Sequence, residues 1–196
     1  MDEKTKELTL SKFLLQKYSD QINQREQRTI GEIKALVDGT DLTIQNIVTE
    51  FKDSTYEFNE NYEEILTKVF NFIKDELEFV ETNFGVNYWL SANEVMQIKV
   101  VDDEDFAVFT CSCMRALGDI KAEVIIAELD DFKTHAFVST TIGEKFLILD
   151  PAQKHEFNAF FDTKTNVIRN YKFNEAHIKR FLYRFNYDKY EQFLEE

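Results

Sequence analysis

The sequence predicts an α+β fold, and three observations carry that prediction. Apolar residues return at three- and four-residue intervals through roughly the first 85 positions, a further helix is expected over 103–117, and the period drops to two after Gly118. At 196 residues and 43% hydrophobic content, the chain can bury one large core, or a small core with an appended module.

Taken in order, Leu10, Phe13, Leu14 and Ile22, then Ile30, Ile33 and Val37, mark the opening helices. Asp38-Gly39-Thr40-Asp41 reads as a helix stop followed by a new cap, after which Ile44, Ile47, Val48 and Phe51 begin another helix. A more strongly apolar run from Tyr62 through Ile65, Leu66, Val69, Phe70, Ile73 and Leu77 to Val80 ends near Gly85, so three or four helices are expected. The alternating charges of Glu26, Arg28, Glu32 and Lys34 read as a solvated face; a helical hairpin that pairs with another chain is the sharper alternative. Residues 1–57 are therefore taken as an N-terminal helical extension and 58–196 as the core.

Over 103–117, acids at Asp102, Asp103, Glu104 and Asp105 complement a helix dipole and offer caps for free N–H groups, and Phe106, Phe109, Cys113 and Leu117 recur at helical spacing. Gly118 ends the helix. Alternation through Ala122, Val124 and Ile126, then residues 132–140 and 145–149, predicts an antiparallel sheet with turns at 129–131 and 142–144. Packing the 103–117 helix on that sheet brings His135 near the helix N-terminus. Residues 165–173 are a candidate further strand. Residues 174–194 are expected to form a C-terminal helix with Ile178, Phe181, Leu182 and Phe185 on one face, its aromatic residues covering the edge of the core. His155 and His177 have no motif around them and read as surface or structural.

A net charge of −14 repels phosphate backbones and anionic lipid, so nucleic-acid and membrane-surface binding are poor expectations, and a basic partner is easier to accommodate. No stretch approaches the ~18 consecutive apolar residues of a membrane span. The charged opening MDEKTKELTLSKF lacks the apolar run of a secretory leader, and Cys111 and Cys113, side by side on a helix, suit a reducing compartment. Together these predict a cytoplasmic location.

The functional pattern is ordered: Trp89-x-Ser91-x-x-Glu94-Val95-Met96, then VDDEDFA over 101–107, Arg115-Ala116-Leu117-Gly118, Thr134-His135-Ala136-Phe137-Val138, and Ile148-Leu149-Asp150-Pro151. This set, over about residues 86–152, resembles the transglutaminase-like superfamily of papain-type cysteine enzymes. The core of that family reads roughly GDCEDFA, a helix ending in RALG, a strand beginning HAWV and a strand ending in DP. The resemblance implies a nucleophile-type helix packed on an antiparallel sheet, with His135 as the general base and Asp150 as the carboxylate that orients it. Two departures fall in the key motif: Val101 stands where the family has Gly, and Asp103 where it has the catalytic Cys. The distance from Asp103 to Gly118, 15 residues, matches the family's nucleophile-to-glycine spacing, whereas Cys111 is 7 residues from it.

A helix N-terminus and a neighbouring imidazole lower a thiol's pKa, and the resulting thiolate attacks a carbonyl. Asp103 keeps the negative charge and loses the soft nucleophile, so the site becomes a charge mimic of the thiolate–imidazolium pair. The expected function is a protein- or peptide-binding pseudoenzyme carrying a degenerate triad, Asp103–His135–Asp150, with Trp89 as a binding residue and neither cofactor nor metal. Several alternatives stay open. Asp103 reads equally as an ordinary helix cap, and His135 as a core histidine. A working hydrolase or acyltransferase would use the three residues differently, with or without a divalent metal held by Asp103, His135 and Asp150 with Asp102 or Asp105. A displaced nucleophile at Cys111 would lie about 12 Å along the helix from Asp103 at ~1.5 Å per residue.

Overall fold

The computed structural model describes residues 1–24, 28–81 and 88–194. Four helices come first: α1 (Glu3–Gln24), α2 (Ile30–Leu36), α3 (Leu42–Phe51) and α4 (Phe58–Glu76). A short strand β1 (Glu78–Phe79), helix α5 (Ala92–Ile98) and strand β2 (Val100–Val101) lead into α6 (Asp103–Ala116). The remainder is β3 (Glu123–Leu129), β4 (Thr134–Ile142), β5 (Lys145–Leu149), a 3-10 turn (Pro151–Gln153), β6 (Phe161–Asp162), α7 (Lys164–Asn170), β7 (Lys172–Phe173), β8 (Ala176–Phe185) and β9 (Tyr190–Gln192). The strand order of the main sheet is β6-β5-β4-β3-β8-β7, with β9 paired to β8, and its paired neighbours are antiparallel. The α+β class expected from the sequence is the observed one.

The central element is α6, and the reason lies in its sequence. Every residue from Asp105 to Met114 is buried, so the helix is enclosed on all sides rather than laid along a surface. One side meets Val124, Ile126, Ala136 and Val138 of the sheet, and the same apolar core takes in Ile44, Ile47 and Val48 of α3 and Leu66, Val69 and Phe70 of α4. The other face of the sheet is covered by Val167 of α7 with Tyr171 and Phe173, against Ile125, Phe137 and Ile148. Leu10, Leu14 and Tyr18 of α1 belong to the first core, so the N-terminal helices share their interior with the rest of the chain. Tyr18 and Lys17 both engage the buried Glu94 carboxylate, Lys17 Nζ at 2.6 Å, and Glu94 also closes the capping box of α5 with Ser91.

Two segments differ from expectation. Residues 174–194 are not a C-terminal helix: Ala176–Phe185 forms β8, paired along β3 from Leu129 to Val124, and Tyr190–Gln192 forms β9. The run AHIKRFLYRF carries the aromatic and β-branched residues that suit a strand, and two register shifts against β3 break its alternation into spacings that imitate a helix. Residues 165–173 are mostly helix α7, started by the Thr163 side chain accepting from Asn166 N, with only Lys172–Phe173 as strand. The stop near Gly85 and the charge at Glu26 lie outside the described residues.

Gly39 illustrates how tightly the helical layer meets α6. A Cβ there would come within 2.8 Å of the Ala116 backbone N and 2.9 Å of the Arg115 backbone C, atoms that a flexible side chain cannot clear away. The glycine is required by close approach, while the turn itself is made by Asp38, which accepts from Thr40, and Asp41, which caps α3. Gly39→Ala is expected to lower stability by about 2 kcal/mol through overpacking. Gly31→Ala, whose nearest neighbour would be 3.9 Å away, is expected to leave stability unchanged or raise it by up to about 1 kcal/mol. Urea denaturation of the two variants beside the parent checks both.

Candidate active site

The N-terminus of α6 is set by Asp102, whose carboxylate accepts from Asp105 N at 3.0 Å. Asp102, rather than Asp103, is therefore the cap, and the Asp103 side chain is turned instead toward β4. Its Oδ2 accepts from the Ala136 backbone N at 2.7 Å and lies 2.8 Å from Nδ1 of His135. The other ring nitrogen, Nε2, lies 3.0 Å from Asp150 Oδ2 at the end of β5. The three predicted positions thus converge into one chain, carboxylate–imidazole–carboxylate.

Asp150 is held by several further donors. Tyr171 Oη donates to Oδ2 at 2.7 Å, Gln153 Nε2 donates to the same oxygen at 2.6 Å, and Ala152 N donates to Oδ1 at 3.2 Å. His155 Nε2 sits 3.0 Å from Gln153 Oε1 and so fixes which way that amide points. Phe173 stacks on the His135 ring with centroids 3.6 Å apart and planes 16° from parallel. Tyr171, Gln153, His155 and Phe173 were not singled out by sequence reasoning as site residues. The one local signal was Gln153, two residues past the Asp-Pro pair on the same turn; Tyr171 and Phe173 arrive from distant sequence.

The electrostatics follow from this arrangement. Burial of His135 opposes its protonation, but the charge of Asp150 and the hydrogen bonds to Asp103 and Asp150 outweigh it and raise the pKa from 6.5 to about 10. Asp150 responds in the opposite sense: burial pushes it up, and the His135 charge with the His135, Tyr171 and Gln153 hydrogen bonds hold it below the usual carboxylate range. A neutral imidazole has one N–H and can donate to one carboxylate; only the imidazolium donates to both. Side-chain exposure is 1% for His135, 1% for Asp150 and 20% for Asp103, so the group that this triad shows to solvent is a carboxylate.

Trp89 stands beside the triad. Its ring packs edge-on against Phe185 at 5.8 Å and its carbonyl accepts from Arg28 Nε at 3.0 Å. It lines a largely apolar groove of about 590 Å³ with Ile33 of α2, Tyr183, Phe185 and Tyr190, and the groove also takes in Glu104 and Thr134, the neighbours of Asp103 and His135. Cys111 and Cys113 are fully buried, and burial pushes both thiols up. The charged neighbours of Cys111 are Arg115, Asp119 and Glu123, at the opposite end of α6, so it does not serve as a displaced nucleophile. Among the described residues, the carboxylates that converge within 4.8 Å are Asp102, Asp103 and Glu104, not the set Asp103, His135 and Asp150. Burial and the charge of Asp103 raise Asp102 to about 7. Such oxygens suit a hard cation in kind, but three carboxylates with two oxygens already accepting from N–H groups fall short of the six to eight donors that calcium takes, and water would have to complete the shell.

The His135 pKa, higher folded than unfolded, stabilises the fold fully below pH 6.5, and that contribution is lost as pH rises toward 10. The urea midpoint is expected to fall across this window in the parent protein. His135→Gln should be destabilised by about 3–5 kcal/mol, since it leaves the buried Asp150 carboxylate without its counter-charge, and should lose that slope. The decline produced by Asp102 between pH 4 and 7 should persist in both.

No family model matches the chain, and no curated protein matches it. Solved structures do. Legionella pneumophila LapG is similar over 85% of this chain and 88% of its own, at 17% identity and a TM-score of 0.54. The EGTA-treated form of that protein gives 18% identity and 0.53 over 85% of this chain and 86% of its own, and its calcium-bound form gives 17% and 0.53 over 84% and 88%. At these identities the likeness is one of fold: the chain has a transglutaminase-like, papain-like fold.

Proposed function

We propose that this chain is a peptide- or protein-binding pseudoenzyme in which Asp103 occupies the nucleophile's place and holds His135 permanently as an imidazolium. The observation that carries this reading is that both ring nitrogens of His135 face carboxylates, at 2.8 and 3.0 Å. A general base must accept a proton, and an imidazole that already carries two and titrates near pH 10 has no free lone pair at neutral pH. Asp103 is a poor substitute for the thiolate as attacking group, because a carboxylate oxygen is a far weaker nucleophile than a thiolate sulfur, and its charge is also stabilised through Oδ2 by the Ala136 N–H and His135. The same geometry argues against a rival hydrolase that would use His135 as its general base. What is left is a preformed, charged cleft with an apolar groove beside it, a surface suited to recognition. Among the described residues no helix is long and apolar enough to cross a membrane.

The test restores the missing thiol. In Asp103→Cys the introduced thiol lies at a helix N-terminus next to His135, and both lower a thiol pKa. It is expected to react with iodoacetamide at pH 6 roughly tenfold or more faster than a free thiol such as glutathione, while Cys111 and Cys113 stay unlabelled until the protein unfolds. Site-resolved mass spectrometry reads all three. Reaction of the introduced thiol only above pH 8 would contradict the placement of a charged imidazole beside position 103.

A further inference from the structure

We infer that the groove beside the triad is a subsite for an arginine side chain presented by an extended peptide. The inference rests on the reading of the site as a binding cleft and names the chemistry of its occupant. A long basic side chain needs an apolar surface for its methylene stem and an acid or aromatic face for its cationic head. The groove provides both in one volume. Its walls are Ile33 of α2 and the rings of Trp89, Tyr183, Phe185 and Tyr190; Tyr183 and Tyr190 stack on one another at 6.1 Å, and Trp89 meets Phe185 edge-on. Glu104 lines it from the first turn of α6, and the next residue back is Asp103, whose partly exposed carboxylate is the part of the triad that solvent reaches.

Charge complementarity selects the cation over a plain apolar segment. Of the four acids in this turn, burial raises Asp102 to about 7 and Asp105 well above the usual carboxylate range, which leaves Asp103 and Glu104 as the acids on the solvent side, in a chain that carries −14 as a whole. The field at the mouth therefore attracts a cation and steers its approach. Lys34 on α2 is the cation among the described lining residues, and it opposes the ligand charge from the helical wall. Arginine is favoured over lysine because a planar guanidinium stacks on the aromatic faces while still pairing with a carboxylate. A volume near 590 Å³ holds one such side chain with flanking backbone.

The experiment uses the intact protein in EGTA buffer. Trp89, the one tryptophan in the chain, reports binding by its emission, with calorimetry as the second readout. The probe is the acetylated, amidated pentapeptide alanine-leucine-arginine-leucine-alanine, and its partner carries citrulline, which keeps the shape of arginine without the charge. A saturable change is expected with the arginine peptide, and binding of the citrulline peptide roughly tenfold weaker. Glu104→Gln should bring the two affinities within roughly twofold of one another, and Lys34→Glu should strengthen the arginine peptide alone. Equal binding of both peptides, or neither fluorescence change nor heat with the arginine peptide at millimolar concentration, overturns the proposal. Mass spectra of the same samples separate it from the binding reading itself: a cleaved or modified peptide would refute the pseudoenzyme, while the arginine-to-citrulline ratio still decides the subsite.

Discussion

A buried imidazolium clamped between two carboxylates is the constraint around which this molecule is arranged. His135 contributes one positive charge to a place where bare charge is costly, and Asp103 and Asp150 make it tolerable only if each stays within hydrogen-bonding distance. Asp103 is delivered by the start of α6, His135 by the start of β4, and Asp150 by the end of β5; Tyr171 and Phe173 come from the segment that closes the far face of the sheet. Three other parts of the chain are thus pinned to this one ring, directly or through Asp150. The apolar layers position α6 against the sheet, and the ionic chain then fixes its N-terminus relative to β4.

If Asp103 stands at the nucleophile's place, as proposed, the arrangement explains what a carboxylate changes there. A thiolate–imidazolium pair discharges when the sulfur attacks, which frees the imidazolium to give up its proton. A carboxylate pair persists, and here it is reinforced by a backbone N–H from Ala136. Tyr171 and Gln153 orient Asp150, and on the proposed reading the framework of transfer chemistry is kept while the step that needs a reversible proton is lost. Asp103 is then the exposed end of a fixed dipolar unit, beside a groove whose wall includes Ile33 of the N-terminal helices. Those helices line part of the groove and share a core with the sheet.

The sequence made the interior of this design more legible than its edges. The α6 run and the three strands that follow it stood out because capping acids, a stop glycine and turn clusters punctuate them, and the three motif positions Asp103, His135 and Asp150 meet in space, with both carboxylates on the His135 ring. Residues 174–194 were misread because two bulges against β3 spaced Ile178, Phe181, Leu182 and Phe185 like a helical face; the pairing partner that decides the matter lies about 50 residues earlier in the chain. The cap on α6 was ambiguous among consecutive acids, and only the tertiary position of Ala136 and His135 shows that Asp103 turns away while Asp102 caps. Tyr171 and Phe173 were illegible for the same reason: nothing local marks an aromatic residue as the one that will fold back onto a distant histidine.

The most direct measurement of the account is the protonation state of His135 by nitrogen-resolved NMR across pH 6 to 11, with His155 and His177 as internal references in the same protein. The account requires both ring nitrogens of His135 to carry protons at pH 8, with titration near pH 10. A neutral His135 ring at pH 8, titrating near 6.5 like an unperturbed histidine, would contradict it and return the site to the class of working acid–base chemistry.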